Sequence, residues 1–277
     1  FRDHLSVIII LWFMDKKRVL FISQEITPYL CETEISTKCR HLPQGIMEKG
    51  KDIRIFMPKY GCINERRNQL HEVIRLSGMN MILDNLDYPL IIKVASLQPI
   101  RMQVYFIENE DYFPKKTFMH ELDGQDFEFH DERTIFFCRG VIETVRKLGW
   151  APDVVHCHGW MSALVPMYLK KAFSDDPIFD NTKVVYSIYD QESNVEIDND
   201  MSRKSIISGV SDDDVSLINT ATVNNLHKLA IKYSDAVIVG SDKICENLNT
   251  FIIDSGKYVI PHQSLENCVE AYDALYD

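Results

Sequence analysis

The hydrophobic and polar positions of this chain form two alternating patterns. Short runs that are apolar on both faces are typical of buried parallel strands, and longer stretches with apolar residues three or four apart are typical of helices. Because the two patterns take turns along most of the chain, they predict strands that alternate with helices. The predicted strands are 18–23, 52–57, 153–158, 183–187, 236–239 and 258–260, and the predicted helices are 34–49, 129–148, 161–171, 219–233, 241–251 and 265–276.

Three details complete this prediction. Residues 70–76, 89–96 and 102–107 have a β-type pattern interrupted by polar turns, which predicts a hairpin or an antiparallel extension of the sheet. Residues 190–216 are rich in Asp, Asn and Ser, and this composition predicts a solvated surface loop rather than packed structure. Ser241 is predicted to be the N-cap of the helix that follows it.

The stretch from Asp153 to Trp160 combines a strand, a tight turn and the start of a helix. Ligands of an open parallel sheet collect at the carboxyl ends of its strands, so His156, Cys157 and His158 are expected to face a crevice. Cys157 is either a nucleophile or a small buried side chain, and its place in the strand favours the second interpretation. His156 and His158 either bind a ligand, or one packs beneath the turn and the other hydrogen-bonds the backbone, and the second interpretation is favoured. A metal-dependent hydrolase would need a third ligand, for which the sequence offers no clear candidate.

Composition and charge narrow the function classes. A net charge of −11 and a pI of about 5.3 argue against binding to nucleic acid or to an anionic membrane surface. The seven cysteines are scattered and form no C-x-x-C pair, so we expect neither a disulfide framework nor a metal site, no cofactor, and a location in the reducing cytoplasm. The apolar run within residues 1–13 is too short to span a bilayer, and we interpret these residues as an upstream extension.

Several of these stretches together resemble the N-terminal domain of bacterial glycogen synthases and plant starch synthases. The resemblance rests on residues 18–28, 53–61, 108–169 and 233–237, which occur in the same order as in that family. It implies a Rossmann-like, doubly wound parallel sheet with a small β-hairpin extension, forming the N-terminal half of a GT-B glycosyltransferase over residues 14–277, with the second domain absent. Complete members of the family transfer glucose from ADP-glucose to an α-1,4-glucan.

The sequence departs from the family where substrates are expected to bind. The family's Lys-Thr-Gly-Gly-Leu loop meets the nucleotide sugar, and here the stretch contains Cys31, Glu32, Thr33 and Glu34. Lysine and both glycines are lost, and two carboxylates are expected near the position of a diphosphate.

Two further family segments are altered. The His-Asp-Trp-His turn reads His158-Gly159-Trp160-Met161, and the Thr-Ile-His-Asn segment reads Ser187-Ile188-Tyr189-Asp190. Loss of one preorganised donor or charge typically lowers a rate by ~10²- to 10³-fold, so we expect no unaided synthase activity.

Two functions remain open. The first is a glycogen/starch synthase-like protein that retains contact with ADP-glucose or an α-glucan. The second is a noncatalytic module that senses carbohydrate or binds a protein partner or a second copy through the face left by the absent domain. The candidate sugar- or glucan-binding residues are His158, Trp160, Asp111, Tyr112, Tyr189 and Asp190.

Overall fold

The computed structural model describes residues 16–113, 130–190 and 197–277. Three predictions fall at least partly outside these ranges: the extension at residues 1–13, the first residue of the predicted 129–148 helix, and part of the predicted loop at 190–216. The described residues form ten strands in one sheet. The strands are β1 (Arg18–Ser23), β2 (Asp52–Pro58), β3 (His71–Glu72), β4 (Met79–Leu83), β5 (Leu86–Leu97), β6 (Met102–Glu108), β7 (Val154–His158), β8 (Lys183–Ile188), β9 (Ala236–Val239) and β10 (Tyr258–Ile260).

The sheet is parallel across its centre and antiparallel at one edge. Its order is β10-β9-β8-β7-β1-β2-β6-β5-β3, and β4 pairs with β5. All neighbours from β10 to β6 are parallel, whereas β5 runs antiparallel to β6, β3 and β4. This arrangement confirms the Rossmann-like parallel sheet and its β-hairpin extension.

Helices cover both faces of the sheet. One face is covered by α1 and α9, which contact each other, and the other by α3, α4 and α7. The helices of the described residues are α1 (Glu34–Glu48), α2 (Glu65–Asn68), α3 (His130–Leu148), α4 (Leu164–Lys171), α5 (Met201–Lys204), α6 (Asp212–Val215), α7 (Val223–Tyr233), α8 (Glu246–Asp254) and α9 (Cys268–Asp273). No helix in this part of the chain is both long enough and apolar enough to cross a membrane.

Helix α1 shows how local sequence fixes an element. Thr33 is its N-cap, and the Thr33 and Ser36 side chains each accept from the other residue's backbone N–H in a reciprocal capping box. Leu42 and Ile46 lie on the buried face of the helix. Gly50 follows at φ +97°, a conformation that residues with a Cβ rarely adopt, so the chain leaves the helix there and enters β2.

The β-hairpin extension differs in detail from its prediction. Only His71–Glu72 of the predicted 70–76 strand pairs, because the amides of Leu76 and Ser77 both bond to the carbonyl of Val73 in a turn. Strand β4, which was not predicted, follows this turn and pairs with the first half of β5.

Ser241 is not the helix N-cap that was predicted, since α8 begins at Glu246 with Cys245 as its N-cap residue. The Ser241 hydroxyl instead donates to the Glu34 carboxylate and accepts from the Asp190 amide. These tertiary bonds hold Ser241 against α1 and β8, so it is not available to cap the next helix.

The prediction of a solvated loop at 190–216 is wrong for the part that the structure describes. Two short helices, α5 and α6, form there. Asp214 is buried rather than solvated, and it accepts bonds from Ser211 and Tyr233 and pairs with Lys171 at 2.9 Å. The acidic run therefore includes one structural carboxylate.

Candidate functional site

The predicted crevice lies where the chain leaves two neighbouring central strands in opposite directions. β1 and β7 are parallel neighbours, with Ser23 opposite His158 at their carboxyl ends. The chain continues from β1 into α1 on one face and from β7 into α4 on the other. This divergence is the topological switch point at which open α/β sheets bind ligands.

The two histidines of β7 lie side by side on the face covered by α1 and α9. Their ring centroids are 3.9 Å apart. His156 shares hydrogen bonds with the hydroxyls of Tyr276 (Nδ1, 2.7 Å) and Ser187 (Nε2, 2.7 Å). His158 Nδ1 shares one with the Tyr189 hydroxyl at 2.9 Å. Both rings are fully buried beneath the turn, and these partners are side-chain hydroxyls rather than the backbone group expected for one of the rings.

Burial also sets the charge of these groups. It lowers the pKa of His156 well below its usual value and the pKa of His158 to about 3, because a buried imidazolium loses its hydration. Both rings are therefore neutral at pH 7. The same effect raises the pKa of the buried Cys157 thiol well above its usual value, which agrees with a small buried side chain rather than a nucleophile.

The turn after β7 needs its glycine and buries its tryptophan. Gly159 has φ +78°, which favours glycine over the acidic residue of the family motif. Trp160 begins a 3₁₀ turn, is completely buried, and packs edge-on against the His130 ring at 5.8 Å. In this structure Trp160 anchors the turn and presents no face to solvent.

Asp111 and Tyr112 lie at the end of β6, away from the other candidates. The tyrosine is buried and its hydroxyl donates to Glu132 at 3.0 Å, whereas the Asp111 side chain is exposed. Four strand spacings separate β6 from β8, which is about 19 Å at the usual 4.8 Å per strand. The six candidate residues thus form two separate groups at the carboxyl end of the sheet, not one cluster.

Tyr189 and Asp190 follow β8 and have different exposures. The Tyr189 ring is buried against Gly240, where an added Cβ would lie 2.6 Å from the ring carbon Cε1. Asp190 has an exposed side chain, and its backbone amide donates to the Ser241 hydroxyl. Only Asp111 and Asp190 among the six candidates expose their side chains to solvent.

In the loop that replaces the family's lysine-glycine segment, Thr33 and Glu34 use their side chains in hydrogen bonds within the protein. All four side chains from Cys31 to Glu34 are exposed, yet Thr33 caps α1 and the Glu34 carboxylate accepts from the Ser241 hydroxyl. The first turn of α1 therefore carries a carboxylate and an internal cap at the end of the helix that would attract an anion.

Lys38 is a basic residue of α1 whose charge interacts with Glu34 of this loop, and the sequence analysis did not single it out. Its ammonium is buried and donates to the carbonyls of Gly240 (2.7 Å) and Gln263 (3.3 Å). Burial lowers its pKa, and the neighbouring Glu34 charge acts in the opposite direction. The sequence did contain a sign that Lys38 is buried, because this residue lies three positions after Ile35 and therefore on the same apolar face of α1.

The described ranges hold no group of three His, Cys, Asp or Glu side chains that could bind a metal ion. Glu108, the acidic residue that ends β6, is committed to ion pairs with Lys93 at 2.8 Å and with Lys59 at 3.5 Å.

The mixed, mostly parallel sheet with helices on both faces is the α/β architecture of a GT-B glycosyltransferase. It superposes on the catalytic domain of starch synthase IV from Arabidopsis thaliana, which was solved bound to ADP and acarbose, with a TM-score of 0.71 at 19% identity. The superposition covers 90% of this chain and 52% of that one, and at this identity it shows the fold.

Sequence comparison gives the family. Residues 18–257 match the family model described as the starch synthase catalytic domain, and the chain belongs to that family. It is 34% identical over 232 residues to a glycogen synthase of Chlorobaculum tepidum, covering 83% of this chain and 47% of the relative. It is 37% identical over 173 residues to one of Pelodictyon phaeoclathratiforme, covering 62% of this chain and 35% of the relative. The chain thus spans less than half the length of these relatives.

Proposed function

We propose that this chain is a glycogen/starch synthase-like protein that does not by itself transfer glucose from ADP-glucose to an α-1,4-glucan. The observation that carries this proposal is the loop at Cys31–Glu34. A diphosphate at the switch point would need backbone amides and a cation directed at it. The loop offers a capped helix end and the carboxylates of Glu32 and Glu34 instead.

The neighbouring groups do not compensate for this loss. Lys38 uses its ammonium to bind two backbone carbonyls, so it is not directed toward a ligand. Gly159 and Tyr189 replace the family's acid and histidine at the two adjacent strand ends, and Tyr189 is buried. If each lost donor or charge lowers the rate by about 10²-fold, three changes together lower it by about 10⁶-fold.

A retained contact with α-glucan is the second role that this edge supports. Asp111 and Asp190 expose carboxylates that can accept bonds from sugar hydroxyls. The buried Tyr112, Trp160 and Tyr189 then act as positioning residues beneath them, together with His158. The related starch synthase IV was solved with acarbose, which supports testing this chain with maltooligosaccharides. The same edge is where a protein partner or a second copy would dock.

We place this protein in the cytoplasm. All seven cysteines are free thiols, which supports a reducing compartment. Treatment of the intact cells with a thiol reagent that does not cross the membrane should leave the exposed Cys31, Cys62 and Cys245 unmodified, and their modification would argue against this location.

The transferase proposal is tested by following ADP release from ADP-glucose in the presence of maltoheptaose. The glycogen synthase of Chlorobaculum tepidum, assayed in parallel, supplies the reference rate. We expect the rate of ADP release to be at least about 10³-fold below the reference rate, because the loss of even one donor can lower a rate by that factor. Release that requires both substrates and lies within about tenfold of the reference would overturn the proposal. Titration with maltoheptaose alone tests the second role. Asp111→Asn or Asp190→Asn should weaken glucan binding, whereas Asp254→Asn, an exposed control at the end of α8, should not.

A further inference from the structure

A cavity of about 580 Å³ opens to solvent at the amino ends of β1, β2 and β6, the opposite end of the sheet from the candidate functional site. The three strands are consecutive in the sheet, and Arg18 is opposite Asp52 where β1 and β2 begin. Met47, Ile53 and Met102 provide apolar surface in the cavity. Its volume is within the usual range of small-molecule sites.

The cavity is basic although the chain carries a net charge of −11. Lys16, Arg18, Lys51 and Arg101 line it. Lys51 pairs with two carboxylates of the C-terminal segment, at 2.9 and 2.8 Å. The other three have no carboxylate within ion-pair distance in residues 16–113, 130–190 and 197–277.

The carboxylate that lines the cavity is held by a neighbour. Asp52 Oδ2 accepts a hydrogen bond from the Trp150 indole at 2.9 Å. The Arg54 guanidinium lies over the same indole, 4.8 Å from the centroid of the Trp150 ring. Asp52 keeps its negative charge, but this single carboxylate is outnumbered by Lys16, Arg18 and Arg101 in the lining.

We infer that this cavity binds a small metabolite that carries one or two phosphoryl groups. Guanidinium groups match phosphate oxygens in a two-bond geometry, and the arginines Arg18 and Arg101 supply two such groups beside Lys16. The apolar surface fits the carbon part of the same molecule. A nucleic acid would need a basic stripe that continues along the surface, whereas these cations surround one cavity on an acidic protein.

The test is calorimetric titration of the full chain with pyrophosphate and with inorganic phosphate at low salt. We expect saturable binding of pyrophosphate with a dissociation constant below about 1 mM. The double variant Arg18→Gln/Arg101→Gln should bind at least about tenfold more weakly, since it loses two charge-assisted contacts. Arg101→Gln alone, an exposed change in a turn, should show part of this loss even if the double variant is destabilised.

The matched control is Arg66→Gln/Arg67→Gln. These arginines are exposed on α2, which follows the carboxyl end of β2, and the variant loses the same two charges. Its affinity for pyrophosphate should stay within about twofold of the unaltered chain, because distant charges are screened. The inference is overturned if pyrophosphate does not bind saturably, or if the control variant loses as much affinity as the cavity variant.

Discussion

The buried histidines predict that this protein loses stability as the pH falls below neutrality. His156, His158 and His227 are each at most 1% exposed. Burial lowers the pKa of His156 well below its usual value, and lowers the pKa values of His158 and His227 to about 3. These rings stay neutral in the folded state between pH 6.0 and 7.5, while in the unfolded chain they titrate near pH 6.5.

The sign and the size of the effect follow from this difference in proton uptake. Between pH 7.5 and 6.0 the unfolded state binds protons that the folded state does not, so the free energy of unfolding falls as the pH falls. For a group with an unfolded pKa of about 6.5, the loss over this interval is about 0.8 kcal/mol. Three such histidines give roughly 2.4 kcal/mol, a substantial part of a typical free energy of unfolding.

Two buried carboxyl groups act in the opposite direction. Burial raises the pKa of Glu25 and the pKa of Asp131, so these groups favour the folded state as the pH falls. A comparison of variants removes this contribution. His227→Leu should reduce the loss of stability between pH 7.5 and 6.0 by about 0.8 kcal/mol, whereas Asn249→Leu, an exposed change that removes no titratable group, should leave it unaltered.

The assay is urea unfolding followed by circular dichroism at both pH values. The lower value stays above the pI of about 5.3, which limits precipitation. The reasoning is refuted if the free energy of unfolding changes by the same amount between the two pH values in the unaltered chain and in the His227→Leu variant.

Further changes test the packing of the crevice and of its supporting ion pairs. Gly240→Ala should destabilise the fold by about 1–3 kcal/mol, because the new Cβ would lie 2.6 Å from the Tyr189 ring; an unchanged urea midpoint would contradict this packing. Lys204→Met should cost about 3–5 kcal/mol, because it leaves the completely buried Asp131 without its 2.7 Å partner. The exposed ion pair between Lys170 and Asp235 provides the control, and Lys170→Met should lower the free energy of unfolding by less than about 1 kcal/mol. Equal losses in the Lys204→Met and Lys170→Met variants would show that burial of the ion pair does not decide the cost.

The central strands were predictable because their residues are apolar on both faces. β1, β7 and β9 consist almost entirely of buried positions, and β9 has the predicted bounds at both ends. Such runs are consistent with few structures other than a strand covered by helices on two sides. The family resemblance was predictable for a related reason, since it depends on these same stretches and their order.

The bonds that close the crevice were not predictable from local patterns. Ser241 has the residue type of an N-cap, but its bond to Glu34 joins residues 207 positions apart. Tyr276 gave no local sign that its hydroxyl would bond His156, 120 positions away. Strand β4 was missed because its exposed Asn80 and Ile82 and its short length give little periodic signal.

The central claim, that the switch point is not built to hold a nucleotide sugar, is tested most directly by calorimetric titration with ADP-glucose. The Arg18→Gln/Arg101→Gln variant is used for this titration, so that the basic cavity at the other end of the sheet does not contribute. We expect no saturable heat up to about 1 mM ADP-glucose. Saturable binding below that concentration in this variant, weakened further by Ser241→Ala or Lys38→Met at the crevice, would contradict the claim and show that the altered loop still forms a nucleotide-sugar site.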